Sequence, residues 1–291
     1  MIKLLEGESI KIPIKLEDHT PPEAIYGVDI GYTLTKFAYR EEDFLILSSI
    51  QTSLVKQKFV NNLIEKLTEG TSIHLTGGGA FKIYNTLQKH GNVQLIKEFE
   101  ANAKGAHFMM ANRYKGWLSS PIIACLGTGT SIIYSNDEIR HLGGTALGGG
   151  FFMGLIDKLF NLRDYHDILK LAKSGNRYNI DLKVADIYDK EDPRVDSLFR
   201  EFTAASFSNI KPNAQKQDLI HSILCMLGEN IGTIVCLYAE KEHAENIIFC
   251  GGFLKDNRIL GRILMSICGF HKKKGHFIRN PEFMGAVGAL Y

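Results

Sequence analysis

The stretch from Ile122 to Met153, IIACLGTGTSIIYSNDEIRHLGGTALGGGFFM, decides how the rest of the chain is read. Its apolar run, Ile122 to Leu126, ends in Gly127-Thr128-Gly129-Thr130-Ser131. The β-branched run Ile132-Ile133-Tyr134 then returns, so the pattern predicts a hairpin with glycine at its tip. Glycine lets backbone N–H groups turn outward toward an anion, and Thr and Ser add short hydroxyl donors. Such a turn suits a phosphate. Gly143-Gly144 and Gly148-Gly149-Gly150 come next and lead into Phe151-Phe152-Met153, a predicted helix start whose N–H groups would form a second anion cradle. Five glycines in eight positions forgo side-chain packing, which implies a backbone that has to stay exposed. A flexible surface loop is the competing explanation.

Outward from this stretch, composition narrows the class. With 291 residues, 45% hydrophobic and 23% charged, the chain is an ordinary globular one, long enough for two lobes. Lys plus Arg number 34 against 32 for Asp plus Glu, a balance that argues against a nucleic-acid partner and for a small one. The five cysteines, Cys125, Cys225, Cys236, Cys250 and Cys268, lie in apolar surroundings without CxxC spacing. They read as buried reduced thiols, not a zinc site, and favour the cytoplasm. The apolar stretch Leu219 to Ala239 is interrupted by His221, Glu229 and Asn230, which suits a buried helix and predicts no membrane span; the charged opening residues predict no secretion signal.

Taken in order, residues 1–24 are expected to form a peripheral hairpin or arm. Ala24 to Ile30 reads as a buried strand, Gly31-Tyr32-Thr33-Leu34 as a turn, and Thr35-Lys36-Phe37-Ala38-Tyr39 as the returning strand. Asp29, leaving a buried strand before a Gly/Thr turn, is placed to hold magnesium beside phosphates; accepting hydrogen bonds from its own turn is the plainer role. A second strand, not a helix, comes after Gly31, which argues against a dinucleotide fold. Phe44 to Ser48 continues the sheet, Leu54, Phe59, Leu63 and Leu67 predict one helix over 54–67, and Ser72 to Thr76 a further strand, so the first third reads β-β-β-α-β. Glu98 falls where an extended segment becomes a helix. There it could act as a general base toward a substrate hydroxyl, or simply favour the helix N-terminus electrostatically. Helices are expected over 156–171, 195–202, 215–240 and 257–268, a strand over 246–250 running into Gly251-Gly252, and a small-residue helix over 285–290.

Three glycine turns that each leave a strand, Asp29-x-Gly31-x-Thr33, Gly127-Thr128-Gly129 and Gly251-Gly252, resemble those of the two-lobed ATPase fold shared by actin, sugar kinases and heat-shock chaperones. The match is closest to type II pantothenate kinases. It is carried by GVDIGYTLTK (27–36), LTGGGA (75–80), KEFEANAKG (97–105), LGTGTS (126–131), HLGGTALGGG (141–150), NIDLKVADIY (179–188), TAASFSNI (203–210), CGGFLKDN (250–257) and GAVGALY (285–291), in the family's order.

The resemblance implies an α/β, ribonuclease H-like fold with mixed sheets flanked by helices and a nucleotide in the interlobe cleft. Its expected divisions are an arm (1–24), a first lobe (25–118) and a second (119–291). It implies phosphorylation of pantothenate by ATP and Mg2+, the first step of coenzyme A biosynthesis, in a homodimer. Glu98 then matches the catalytic base. Gly31, Tyr32, Thr33, Leu34, Thr35 and Lys36 match the phosphate turn, and Thr128, Gly149, Gly150, Phe151, Phe152, Met153, Tyr165 and Gly252 match ATP-contacting positions. Ser131, with Thr130 beside it, matches a substrate hydroxyl, and Ala204 and Ala205 match a segment reaching the neighbouring subunit's pantothenate.

Two departures stand out. Tyr32 replaces a glycine of the first turn, and His141, next to Arg140, stands where the family has an arginine. Histidine is only partly charged near neutral pH and lacks the bidentate fork, so Arg140 or His141 is expected to supply the missing catalytic charge. A nucleotide- or acyl-coenzyme A-binding homologue of weak activity, or a kinase of a related alcohol, is the competing expectation.

Overall fold

The computed structural model describes residues 9–16, 19–55, 57–114, 116, 118–193 and 202–291. The helix expected over 195–202 therefore lies, up to its last residue, outside the described residues.

Two sheets share one plan. In the first, β2 (Ile25–Ile30), β3 (Leu34–Glu41) and β4 (Phe44–Gln51) form an antiparallel meander. β5 (Ser72–Thr76) and β6 (Val93–Leu95) add in parallel on the other side of β2. In the second, β7 (Ile122–Leu126), β8 (Thr130–Ser135) and β9 (Ile139–Thr145) form the meander, and β12 (Asn246–Cys250) and β13 (Lys274–Phe277) add in parallel beside β7. Parallel neighbours need crossovers, and helices supply them: α1 (Gln57–Thr68) and α2 (Ala80–Leu87) in the first half, α6 (Lys216–Lys241) and α7 (Arg258–Phe270) in the second. α4 (Gly149–Phe160) and α5 (Tyr165–Ala172) come after β9, and a two-stranded ribbon pairs β10 (Leu182–Lys183) with β11 (Thr203–Ala205).

The chain departs from expectation at several places. Part of the arm is an edge strand: β1 (Ile10–Pro13) pairs with β4, because Ile10, Ile12 and Ile14 alternate inward onto a common core. Leu54 is not in the helix. It sits in a 3-10 turn and is 56% exposed, while Phe59, Leu63 and Leu67 carry the buried face of α1. The single helix expected over 156–171 is two, since Asn161 adopts a left-handed conformation that closes α4 and Asp164 caps α5 by accepting from the Asp167 N–H. The helix expected over 215–240 is present as α6: it is apolar enough for a membrane by length and composition, and most of that stretch is buried in the second core.

Between the sheets lies a layer made of α3 (Glu98–Tyr114) and α8 (Met284–Gly288). Its core draws on Ala38 and Leu47 of the first sheet, Ile123 and Ile248 of the second, and Ala103, Ala106, Ala286 and Val287 of the two helices. The helices touch through backbone: a Cβ on Gly288 would lie 1.7 Å from the Ala101 carbonyl oxygen, and one on Gly105 2.0 Å from that of Met284. Gly288→Ala should therefore destabilise the protein by about 3 kcal/mol, the overpacking range. Gly154→Ala, whose Cβ meets nothing within 4 Å, should be neutral or slightly stabilising. Urea unfolding of the two variants checks both.

Candidate active site

β2 delivers Asp29 to its C-terminal end, and register places Lys36 of β3 directly opposite. Their Nζ and Oδ2 are 3.0 Å apart, with both side chains largely buried. Asp29 is walled by two glycines: a Cβ on Gly77 would lie 2.5 Å from Oδ1 and one on Gly285 of α8 2.8 Å from Oδ2. Burial pushes the Asp29 carboxyl above its usual value, and Lys36 pulls it back. Gly31 closes the turn by donating to the Leu34 carbonyl, and the Thr52 hydroxyl donates to the Gly31 carbonyl. Tyr32 projects away from this packing, 89% exposed. Thr35 is fully buried beneath the turn, within hydrogen-bonding distance of Thr52, so it supports the turn instead of lining it.

The second turn joins β7 to β8 as the pattern predicts, with Ser131 half-buried on β8. The glycine-rich segment after β8 differs from expectation. Its glycines do pack: a Cβ on Gly144 would lie 2.3 Å from the Thr130 carbonyl oxygen, one on Gly148 2.7 Å and one on Gly150 3.0 Å from that of Thr128. The supposed loop is strand β9 and a close backbone crossing. The first amides of α4 are also partly spent, since Gly149 donates to the Gly127 carbonyl and Gly150 to that of Thr128. Among the described residues, the Phe151 N–H has no such backbone partner. Phe152 points into the core and packs on Phe253 with ring centroids 5.6 Å apart, while Phe151 is exposed beside it. Thr130 is buried and donates to the Leu147 carbonyl, which makes it a brace of the hairpin.

The third turn starts at Gly251, whose φ of +101° and 2.3 Å approach of a would-be Cβ to the Leu126 carbonyl oxygen demand glycine. Gly252 opens the short helix Gly252–Leu254. Tyr165 holds this turn: its hydroxyl donates to the Phe253 carbonyl and accepts from Asn257. The second and third turns thus touch.

Glu98 is the first residue of α3. It is solvent-accessible as a residue, yet its carboxyl is raised above the usual glutamate value, first by partial burial and then by Asp29, with Lys36 opposing. The next residue, Phe99, stacks on His141 of β9 with centroids 3.8 Å apart and planes at 5°. The N-terminus of α3 therefore bridges the first turn and the second sheet. Strand alternation separates the two candidate cations. His141 faces α3, whereas Arg140 pairs with Glu242 at 2.6 Å and lies over the Tyr134 ring. The Arg140 guanidinium is thus engaged with Glu242 and Tyr134.

A family model described as Fumble matches residues 121–291. A type II pantothenate kinase of Bacillus cereus is 31% identical over 276 residues, 92% of this chain and 97% of that protein. One from Staphylococcus haemolyticus is 32% identical over 272 residues, 91% and 98% of the two chains. The chain belongs to the type II pantothenate kinase family.

Solved structures carry the same fold. The ROK hexokinase of Thermus thermophilus superposes with a TM-score of 0.56 at 13% identity, covering 91% of this chain and 96% of that one. A ROK glucokinase of Streptomyces griseus does so at 0.56 and 12%, covering 91% and 97%. The architecture is the two-lobed actin-like ATPase fold.

Within this type II pantothenate kinase framework, one cluster escaped sequence reading. Arg177 pairs with Asp181 at 2.9 Å and Glu229 at 2.7 Å and donates to Thr203, tying β11 and its Ala204 and Ala205 to α6. The i, i+4 spacing of Arg177 and Asp181 was its only signal.

Removing one partner from the buried Asp29–Lys36 pair leaves an uncompensated charge, so Lys36→Met should lower stability by about 3 kcal/mol. The double variant Asp29→Asn/Lys36→Met should recover more than half of that loss in denaturant unfolding.

Proposed function

We propose that this chain transfers the terminal phosphoryl group of ATP to the terminal hydroxyl of pantothenate, the first step of coenzyme A synthesis. Family membership supports the substrate. The observation that carries the chemistry is Glu98 at the start of α3, within the electrostatic reach of Asp29 and Lys36 and one residue from the contact with β9.

Glu98 would accept the hydroxyl proton as the oxygen attacks phosphorus, which needs the carboxylate form. Its raised proton affinity, from partial burial and the neighbouring Asp29, makes its carboxylate a better base than that of an ordinary glutamate. Lys36 would balance charge on the transferred group, and the backbone of the first two turns would hold phosphate oxygens. Ser131 would orient the pantothenate hydroxyls. Magnesium would enter with the triphosphate and neutralise charge on its oxygens. The residues present suit it: Asp29 offers a carboxylate, and its register partner Thr76 carries a buried Oγ1 without a hydrogen bond among the described residues.

His141 would line the edge of the site, stacked flat on Phe99. The anchored β10–β11 ribbon would carry Ala204 and Ala205 to a second copy, giving a homodimer. Buried free thiols are in keeping with a cytoplasmic setting.

Glu98→Gln should lower kcat for pantothenate-dependent ATP consumption by at least about 100-fold with little change in nucleotide affinity. In the parent, kcat/KM should fall on acidification through a pKa above the ordinary glutamate value, because protonation removes the base. Unchanged turnover in Glu98→Gln would take Glu98 out of the mechanism. His141→Arg, which brings a permanent charge and a bidentate fork to the edge of the site, should raise kcat/KM for pantothenate phosphorylation, and His141→Leu should lower it. Both variants matching the parent would deny His141 that role.

A further inference from the structure

Away from the glycine turns lies a cavity of about 380 Å3, in the size range of small-molecule sites. Its walls come from Lys104, His107 and Phe108 of α3, from the turn Ser135 to Asp137 between β8 and β9, and from Tyr291. β8 begins beside the second glycine turn at Thr130 and ends in the cavity at Ser135, about 15 Å away along an extended strand. Lys104 lies about 9 Å beyond Glu98 along the helix. His107, Ser135 and Asp137 also fall outside every stretch on which the family resemblance rests. The cavity is thus no part of the site described above.

Its interior is mostly uncharged. Phe108 is buried, and its ring meets that of Tyr291 with centroids 5.7 Å apart and planes tilted by 42°. His107 Nε2 and Ser135 Oγ lie 2.7 Å apart in a hydrogen bond, and burial pushes the imidazole toward its neutral form. Charge enters at two points of opposite sign. Lys104 Nζ reaches Glu100 at 2.9 Å and the Tyr291 carbonyl at 3.2 Å, which occupies two of its three donors and leaves the third without a partner among the described residues. Asp137 stands at the tip of a turn held by the Glu138 N–H donating to Asn136 Oδ1 at 3.0 Å. Its own carboxylate makes no hydrogen bond or ion pair among the described residues. A ligand with a single charge would meet one of these groups and leave the other uncompensated. One that carries both signs matches both.

We infer that this cavity binds a free α-amino acid with an aromatic side chain, at a site separate from the glycine turns and independent of the kinase reading above. The ligand carboxylate pairs with Lys104 and its ammonium with Asp137, while its ring lies on Tyr291, backed by Phe108.

Calorimetric titration of the intact protein with L-phenylalanine tests this beside phenethylamine and 3-phenylpropanoate, which each lack one of the two charges. L-phenylalanine should bind at millimolar concentration or below and at least about tenfold more tightly than either analogue, the scale of a hydrogen bond to a charged group. No binding, or equal affinity for all three, overturns the assignment, and this series needs no variant. Asp137→Asn and Lys104→Gln change side chains that are exposed and half-buried, so both should fold, with circular dichroism as the check. Each should weaken L-phenylalanine at least about tenfold. Undiminished affinity in a folded variant places the ligand elsewhere and overturns the assignment. Saturating ADP and pantothenate should leave the affinity unchanged. Displacement by either would put the amino acid in the substrate site, against the separate cavity.

Discussion

Helices α3 and α8 cross with glycine against carbonyl on both sides, Gly288 on Ala101 and Gly105 on Met284, and this contact sets the distance between the two sheets. Side chains at the crossing would hold the helices apart. Without them, α8 comes close enough for Gly285 to close over Asp29, while α3 runs between the sheets with Glu98 at its exposed start. The chemistry of the site is thus fixed by a packing requirement some residues away from it. The same layer explains why the last residues of the chain, though sequential to the second sheet, share a core with β3 and β4.

Within that frame, electrostatics assigns the roles. Asp29 is buried, walled by glycine and matched by one lysine, an arrangement that tolerates charge only while Lys36 stays in place. Glu98 lies at the rim of this pair: partial burial and then Asp29 raise its proton affinity, Lys36 opposes them, and the residue keeps its access to solvent. A carboxylate that is raised yet accessible is what a general base requires, whereas the deeper one suits charge balance. The two acids differ in environment, one deep and paired with lysine, the other accessible.

Much of this was legible in the chain itself. The hairpin from Ile122 to Tyr134, the glycine turns after β2 and β12, and Glu98 at a helix start all arise from local patterns that tertiary packing leaves intact. Other features depend on contacts between distant residues. Gly143 and Gly144 look like loop residues because their reason for being glycine is the approach of Tyr238 and Thr130. Alternation along β9 separates Arg140 from His141, but which of them faces α3 depends on a register with a bulge at Ile132/Ile133. Phe152 and Thr130 occupy positions that resemble ligand contacts, yet one fills the core and the other braces a turn. The Arg177 network joins residues up to 52 positions apart, and only its shortest link has a periodic trace.

The central claim is geometric: the N-terminus of α3 brings one accessible carboxylate to the place where the turns of both sheets present backbone to phosphate. The most direct measurement is a crystal structure with pantothenate and a non-hydrolysable ATP analogue. The account predicts the terminal hydroxyl of pantothenate within about 2.6–3.2 Å of a Glu98 oxygen, in line with the terminal phosphate. A hydroxyl bound away from Glu98, with another group holding it, would contradict the account.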